Sequence, residues 1–131
     1  MKEELFGLLK NSQSKYYNYP VSAIVVCKDG SKFKGVNVET SSPIAGICAE
    51  RNALYNAMTN GYKKGDFKEI HIMSKSGSYP CFICRQTLSD YCDDDMIIVT
   101  YDINGNTNTV KVKDLCTYKF SSEDLKWNRD L

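Results

Sequence analysis

Three cysteines are divided between two helix starts, and that division constrains the fold more than any other feature of the chain. Cys48 opens an apolar pattern carried at helical spacing by Ala53, Leu54, Ala57 and Met58 and ended by Gly61. Cys81 and Cys84 form a C-x-x-C pair at the head of a second helical stretch that reaches Tyr91. Cysteines three apart at a helix start can direct both sulfurs at one ion, where free backbone amides and the positive helix end stabilise thiolates. For Cys48 to join them, two loop-to-helix junctions have to lie side by side, each following a strand region of one sheet. A zinc site that does chemistry keeps three protein ligands and leaves the fourth position to water, whereas a structural site closes all four. Cys48, Cys81 and Cys84 supply three, and Glu50 next to them supplies a proton shuttle for a hydrolytic site. Positions i and i+2 diverge by roughly 200° on an ideal helix, so Cys48 is expected at the cap or in the first turn.

Each of these pieces has an ordinary reading when taken alone. A C-x-x-C pair fits a structural zinc site, a redox pair or inert buried cysteines. A lone Cys48 fits a core residue, Glu50 an acid stabilising a helix N-terminus, and Arg51 a solvated helix arginine. Their combination singles out a divided metal site.

The remaining elements follow from pattern. Leu5, Leu8 and Leu9 share a helical face, and a turn-prone stretch rich in Tyr, Asn and Ser leads to Pro20. Ala23 to Cys27 is a short run rich in β-branched residues, Asp29-Gly30 a hairpin-type turn, and Phe33 to Val38 a returning strand. Glu69 to Ser74 and Met96 to Tyr101 read as strands, Asn104-Gly105 as a turn and Thr109 to Lys113 as a last strand, with short helical pieces from Asp114 onward. Strands separated by helices predict an α/β domain with a mixed five-stranded sheet. At 131 residues, with no repeat or low-complexity linker, the chain is expected to form a single domain over residues 1–131.

Charge and terminus narrow the function classes. Lys and Arg number 17 against 16 Asp and Glu, and no basic block is interleaved with aromatics, so nucleic acid is not an expected partner. The start, Met1 to Leu5, is charged and is followed by no long apolar run, which predicts neither a secretory signal nor a membrane span and places the protein in the cytoplasm. In that compartment six cysteines are expected as thiols or metal ligands rather than disulfides.

"CAER", residues 48–51, followed by "PCFICRQ", residues 80–86, resembles the Cys-Ala-Glu and Pro-Cys-x-x-Cys pair of the zinc-dependent cytidine deaminases. The likeness extends along most of the chain. "YPVSA" (19–23) is similar to that family's Phe-Pro-Val-Gly-Ala, "GVNVE" (35–39) to its nucleoside-binding strand end, and "DLCTYKFSSEDL" (114–125) to its C-terminal segment.

The resemblance implies a three-layer α/β/α sandwich around the mixed sheet and one Zn²⁺ per chain held by Cys48, Cys81 and Cys84. It implies hydrolytic deamination of cytidine and deoxycytidine in pyrimidine salvage, with Glu50 carrying protons from water to the base and then to the leaving amine. Arg51 is cast as a hydrogen-bond donor to cysteine sulfur, offsetting the charge of three thiolates, and Gln86 as support for the zinc loop. Asn37 and Glu39 alternate along a strand end, so their side chains can face one ligand, and the resemblance makes them ribose binders. Tyr19 is cast as the aromatic against the pyrimidine and Ala49 as a further substrate contact. The family's small members form homotetramers, in which Phe120 is expected near a neighbouring site.

There are also departures from the family pattern. Pro43 stands where it usually has an aromatic, Ser22 replaces a common Gly, and Cys116-Thr117 replaces Leu-Pro. Phe82 occupies the usual Gly between the paired cysteines and is expected to narrow the pocket or alter the packing around the metal. His71, the only histidine, is expected to be structural. Two other readings stand beside the first. One is a deaminase of another cytosine-containing compound such as blasticidin S. The other is a non-catalytic zinc domain in which Cys27, Cys92, Cys116 or His71 closes the fourth position.

Overall fold

In the computed structural model, which describes residues 1–127, one five-stranded sheet organises the chain. The strands are β1 (Ser22–Cys27), β2 (Lys32–Val36), β3 (Phe67–Met73), β4 (Ile97–Tyr101) and β5 (Thr107–Lys111), in the spatial order β2-β1-β3-β4-β5. Only the β3–β4 pair is parallel, and the helix α3 (Phe82–Tyr91) makes the crossover that a parallel pair requires. The other pairings are antiparallel, so the sheet is mixed as the pattern of elements predicts.

Strand β1 is buried along its whole length, as befits a strand paired on both edges and covered on both faces. Its alternate residues feed two cores. Ala23 and Val25 pack with Ile70, Ile72 and Ile98 and with the helix α2 (Ala49–Thr59), through Ala53, Leu54 and Ala57. Ile24 and Val26 face the other way, with Met73 and Tyr101, under Leu5 of the helix α1 (Lys2–Leu9). Helices on both faces give the three-layer α/β/α arrangement. Ser22, at the family's glycine position, is fully buried and donates a hydrogen bond to the Leu5 carbonyl at 2.7 Å, tying α1 to the sheet.

The register then decides where the helices begin. Ser22 pairs with Val36 on one side and with Met73 on the other, so β2 and β3 run the same way and end at the same sheet edge. From that edge one loop leads to α2 and the other to α3. Helix α2 lies close over β2 because Gly35 has no side chain. A Cβ there would meet backbone atoms of Ala49 and Ala53, the Ala49 oxygen at 2.6 Å. Asn52 completes the attachment, its amide donating to the Val36 carbonyl at 3.0 Å.

Strand boundaries shift by up to two residues from the sequence-based expectation, β3 for instance running from Phe67 to Met73 rather than from Glu69 to Ser74. The second strand ends at Val36 rather than Val38, because Val38 leaves β1 and bridges Gln13 and Ile47 instead. The last strand spans Thr107–Lys111, and a short helix, α4 (Val112–Leu115), replaces its expected end. The Asp114 carboxylate accepts the Lys111 amide at 2.8 Å and starts that helical turn.

The contact at Gly35 is rigid backbone, so Gly35→Ala is expected to lower stability by about 2 kcal/mol, as overpacking does. Urea unfolding monitored by circular dichroism checks this, with a lower midpoint as the expected result.

Candidate active site

Cys48 and Cys81 are the N-cap residues of α2 and α3, each with extended backbone (φ −75° and −65°) just before the helix begins. Their sulfurs lie 3.6 Å apart, and with the Cys84 sulfur one helical turn further on, all three fall within 4.8 Å of one another. Among the described residues, no further His, Cys, Asp or Glu joins this group. Cys84 is buried, Cys48 half-buried and Cys81 exposed, so the cluster is closed on its core side and open toward solvent.

Three sulfurs this close cannot all ionise by themselves. The Cys48 and Cys84 sulfurs hold the Cys81 pKa far below that of a free thiol, Cys81 pushes Cys48 upward, and Cys48 together with Cys81 pushes Cys84 upward. A dication resolves the conflict, because it favours the thiolate form of every ligand. The donor set and its spacing therefore fit zinc.

Arg51 stands one turn along α2 and donates from Nη2 to the Cys48 sulfur at 3.7 Å. Burial works against its charge, but the Cys48 and Cys84 sulfurs more than compensate and raise its pKa. Arg85 holds the other half of the site, its Nε donating to the Pro80 carbonyl at 2.8 Å. In the sequence Arg85 shows only as a charge on a helix, and nothing there signals that it ties the loop before Cys81.

A cleft of about 350 Å³ opens beside the cluster, lined by Cys48, Ala49, Glu50, Cys81, Tyr19, Asn37 and Glu39 among others. Glu50 is only 6% exposed, and burial pushes its carboxyl pKa up. Ala49 is fully buried on the same wall. Tyr19 crosses the cleft, and its hydroxyl hydrogen-bonds Ser76 at 3.0 Å and Ser78 at 2.8 Å in the loop that carries Cys81.

The two polar residues of the far wall are strongly held. Asn37 Oδ1 accepts from Ser12 Oγ and from the Val21 amide, and its Nδ2 donates to the Tyr19 carbonyl. Glu39 accepts from Ser14 Oγ and from the amides of Tyr16 and Tyr17. Partial burial raises the Glu39 pKa, but these three donors outweigh it and hold the carboxyl below its ordinary value. The serines lie in a polar loop without periodicity, and only the pairing of that loop with residues 37–39 reveals them.

Two expectations need correction. Phe82 does not enter the cleft: it is 79% exposed, lies against the Arg85 guanidinium at 4.4 Å, and borders a second groove formed with residues 115–120. The helix start turns its side chain outward, while Ile83 lines the cleft instead. Gln86 makes no hydrogen bond to the cysteine loop among the described residues and instead donates to Asp90 at 3.2 Å and to the Phe120 carbonyl at 3.0 Å. It follows Cys84 by two residues and so points away from it on the helix. Phe120 is 54% exposed in that second groove. His71 sits on the opposite sheet face from the cleft-lining Ile72, hydrogen-bonded to the Tyr101 hydroxyl at 2.7 Å and 3.0 Å from Glu69. Neither His71 nor Cys27, Cys92 or Cys116 belongs to the sulfur cluster.

Comparison with known proteins agrees with this geometry. The family described as the cytidine and deoxycytidylate deaminase zinc-binding region matches residues 2–100. A cytidine deaminase of Sporosarcina psychrophila is 30% identical over 86% of this chain and 82% of its own length. A probable cytidine deaminase of Dictyostelium discoideum is 34% identical over 94% of this chain and 86% of its own. The crystal structure of cytidine deaminase from Burkholderia pseudomallei superposes with a TM-score of 0.86 at 30% identity, covering 90% of this chain and 94% of that one. A matched region that spans both helix starts and all three clustered cysteines shows that this chain belongs to the cytidine and deoxycytidylate deaminase zinc-binding family.

Proposed function

We propose that the protein hydrolyses cytidine and deoxycytidine to uridine and deoxyuridine, releasing ammonia, and serves pyrimidine salvage in the cytoplasm. The observation that carries this reading is the buried Glu50 carboxyl on the wall of a cleft whose edge is a three-sulfur cluster. Cys48, Cys81 and Cys84 would hold the zinc ion, and the bound metal supplies Lewis acidity that brings loss of a proton from water within reach of neutral pH.

Glu50 accepts that proton and delivers it to the ring nitrogen next to the reacting carbon. It then takes the second proton of the same water from the oxygen that has bonded to that carbon and gives it to the departing amine as the C–N bond breaks, so that water and cytidine become uridine and ammonia. A carboxyl with a raised pKa suits a group that must take up and give back protons in turn. Arg51 offsets the excess negative charge that three thiolates leave around a dication, through its hydrogen bond to Cys48. Tyr19 packs against the base, Ala49 forms the floor beneath it, and Asn37 and Glu39 take the sugar hydroxyls. No helix among the described residues is long and apolar enough to cross a membrane, in keeping with a small-molecule substrate taken from solution.

The second groove supports a homotetramer. Phe82, Tyr118 and Phe120 are all more than half exposed, an apolar concentration that a protomer of this size covers by association. In that assembly Phe120 reaches a neighbouring chain's cleft.

Three outcomes follow. Glu50→Gln is expected to keep its zinc and to lose about 10³-fold in kcat, the scale of general acid–base catalysis, checked by the ultraviolet loss of cytidine beside metal analysis. Full activity in the variant contradicts the role of Glu50. Cys84→Ser is expected to lose most of its zinc while Cys116→Ser retains it, measured by atomic emission on purified protein. Sedimentation equilibrium is expected to give the tetramer mass, and a monomer at all concentrations contradicts the assembly.

A further inference from the structure

Residues 12–14 form a short parallel pairing with residues 37–39, centred on the bridge between Gln13 and Val38. The Gln13 amide donates to the Asn37 carbonyl at 3.0 Å, and the Glu39 amide donates to the Gln13 carbonyl at 2.8 Å. In this register Ser12 falls beside Asn37 and Ser14 beside Glu39, and each hydroxyl donates to its neighbour's side chain at 2.5 Å. The Ser14 oxygen also accepts the Tyr19 amide at 2.7 Å. One hydroxyl thus touches the acid on the sugar side of the cleft and the backbone of the aromatic on the base side.

We propose that Ser14, seconded by Ser12, is a positioning residue for substrate, fixing Glu39 and Tyr19 in one arrangement before the nucleoside arrives. This rests on the reading of Glu39 and Asn37 as sugar contacts and of Tyr19 as the base contact.

A count of hydrogen-bonding capacity shows what the arrangement leaves over. A carboxylate offers about four acceptor positions, and three on Glu39 are taken by Ser14, Tyr16 and Tyr17. An amide oxygen offers two, and both on Asn37 are taken by Ser12 and Val21, while one of its two N–H groups is spent on the Tyr19 carbonyl. Among the described residues this leaves one acceptor position on Glu39 and one donor on Asn37, which matches a hydroxyl that gives and takes one bond. Preorganisation of this kind lowers the ordering cost of binding and acts on affinity rather than on the chemical step. Ser14 is half-buried in a loop and reaches neither the sulfur cluster nor Glu50 by any hydrogen bond among the described residues.

The test compares wild type, Ser14→Ala and Ser14→Thr as zinc-loaded protein, measuring KM and kcat for cytidine, zinc content and the urea unfolding midpoint. Loss of a positioning hydroxyl is expected to raise KM about tenfold in Ser14→Ala. Expected with it are a kcat within about twofold of wild type, unchanged zinc content and a KM largely restored in Ser14→Thr. An unchanged KM in Ser14→Ala overturns the proposal. So does a fall in kcat, zinc content and unfolding midpoint together, which marks a merely structural role. Zinc-loaded wild type that releases no ammonia from cytidine contradicts the deamination reading itself and the role of Ser14 with it, whereas an active wild type confines any failure to Ser14.

Discussion

Everything chemical in this chain depends on two helix N-termini meeting at one edge of the sheet. The pairing of Ser22 with both Val36 and Met73 brings the ends of β2 and β3 level, and the loops that leave there deliver Cys48 and Cys81 as caps. Because each cysteine is a cap, its sulfur is released from the helix surface. The following turns can then bring Glu50 to the cleft and Cys84 to the cluster. Gly35 is the steric condition for this meeting, since any side chain there pushes against the backbone of α2.

The site then has a charge problem that its neighbours resolve. Three sulfurs within 4.8 Å and a buried carboxyl crowd acidic groups into a small volume. The positive ends of two helices and the guanidinium of Arg51 are the protein's own counterweights, and a dication is the remaining one. The loop that carries Cys81 is held independently, by Arg85 at the Pro80 carbonyl and by the Ser76 and Ser78 hydroxyls on Tyr19. Tyr19 therefore joins the entry to β1 with the second half of the site. The same residue is tied through its amide to Ser14, so the base side and the sugar side of the cleft share one network.

Residues whose chemistry is rare at their spacing could be read in the sequence. Cys48, Glu50 and the Cys81/Cys84 pair stand at the heads of apolar helical patterns, and that placement alone predicts the geometry found. The order of strands and helices was equally legible, because β1 is an unbroken apolar run from Ala23 to Cys27 and α2 keeps its apolar residues at helical spacing. What escaped were contacts that depend on which loop lies beside which. Ser12 and Ser14 are ordinary loop serines until the bridge at Gln13 sets them against Asn37 and Glu39. Phe82 and Gln86 were misplaced for a related reason. Proximity in sequence to Cys81 and Cys84 suggests proximity in space, yet the helix turns Phe82 outward and aims Gln86 at the C-terminal segment. Arg85, which lies between Cys84 and Gln86, turns back onto Pro80.

The central claim is that the three sulfurs and Glu50 form one hydrolytic centre completed by a single metal ion. Its most direct test is a titration of metal-stripped protein with zinc, following ammonia release from cytidine at each addition. The rate is expected to rise in proportion to zinc bound and to level off at about one ion per chain. Equal ammonia release from metal-free and zinc-loaded protein, or none at full zinc occupancy, would contradict the claim.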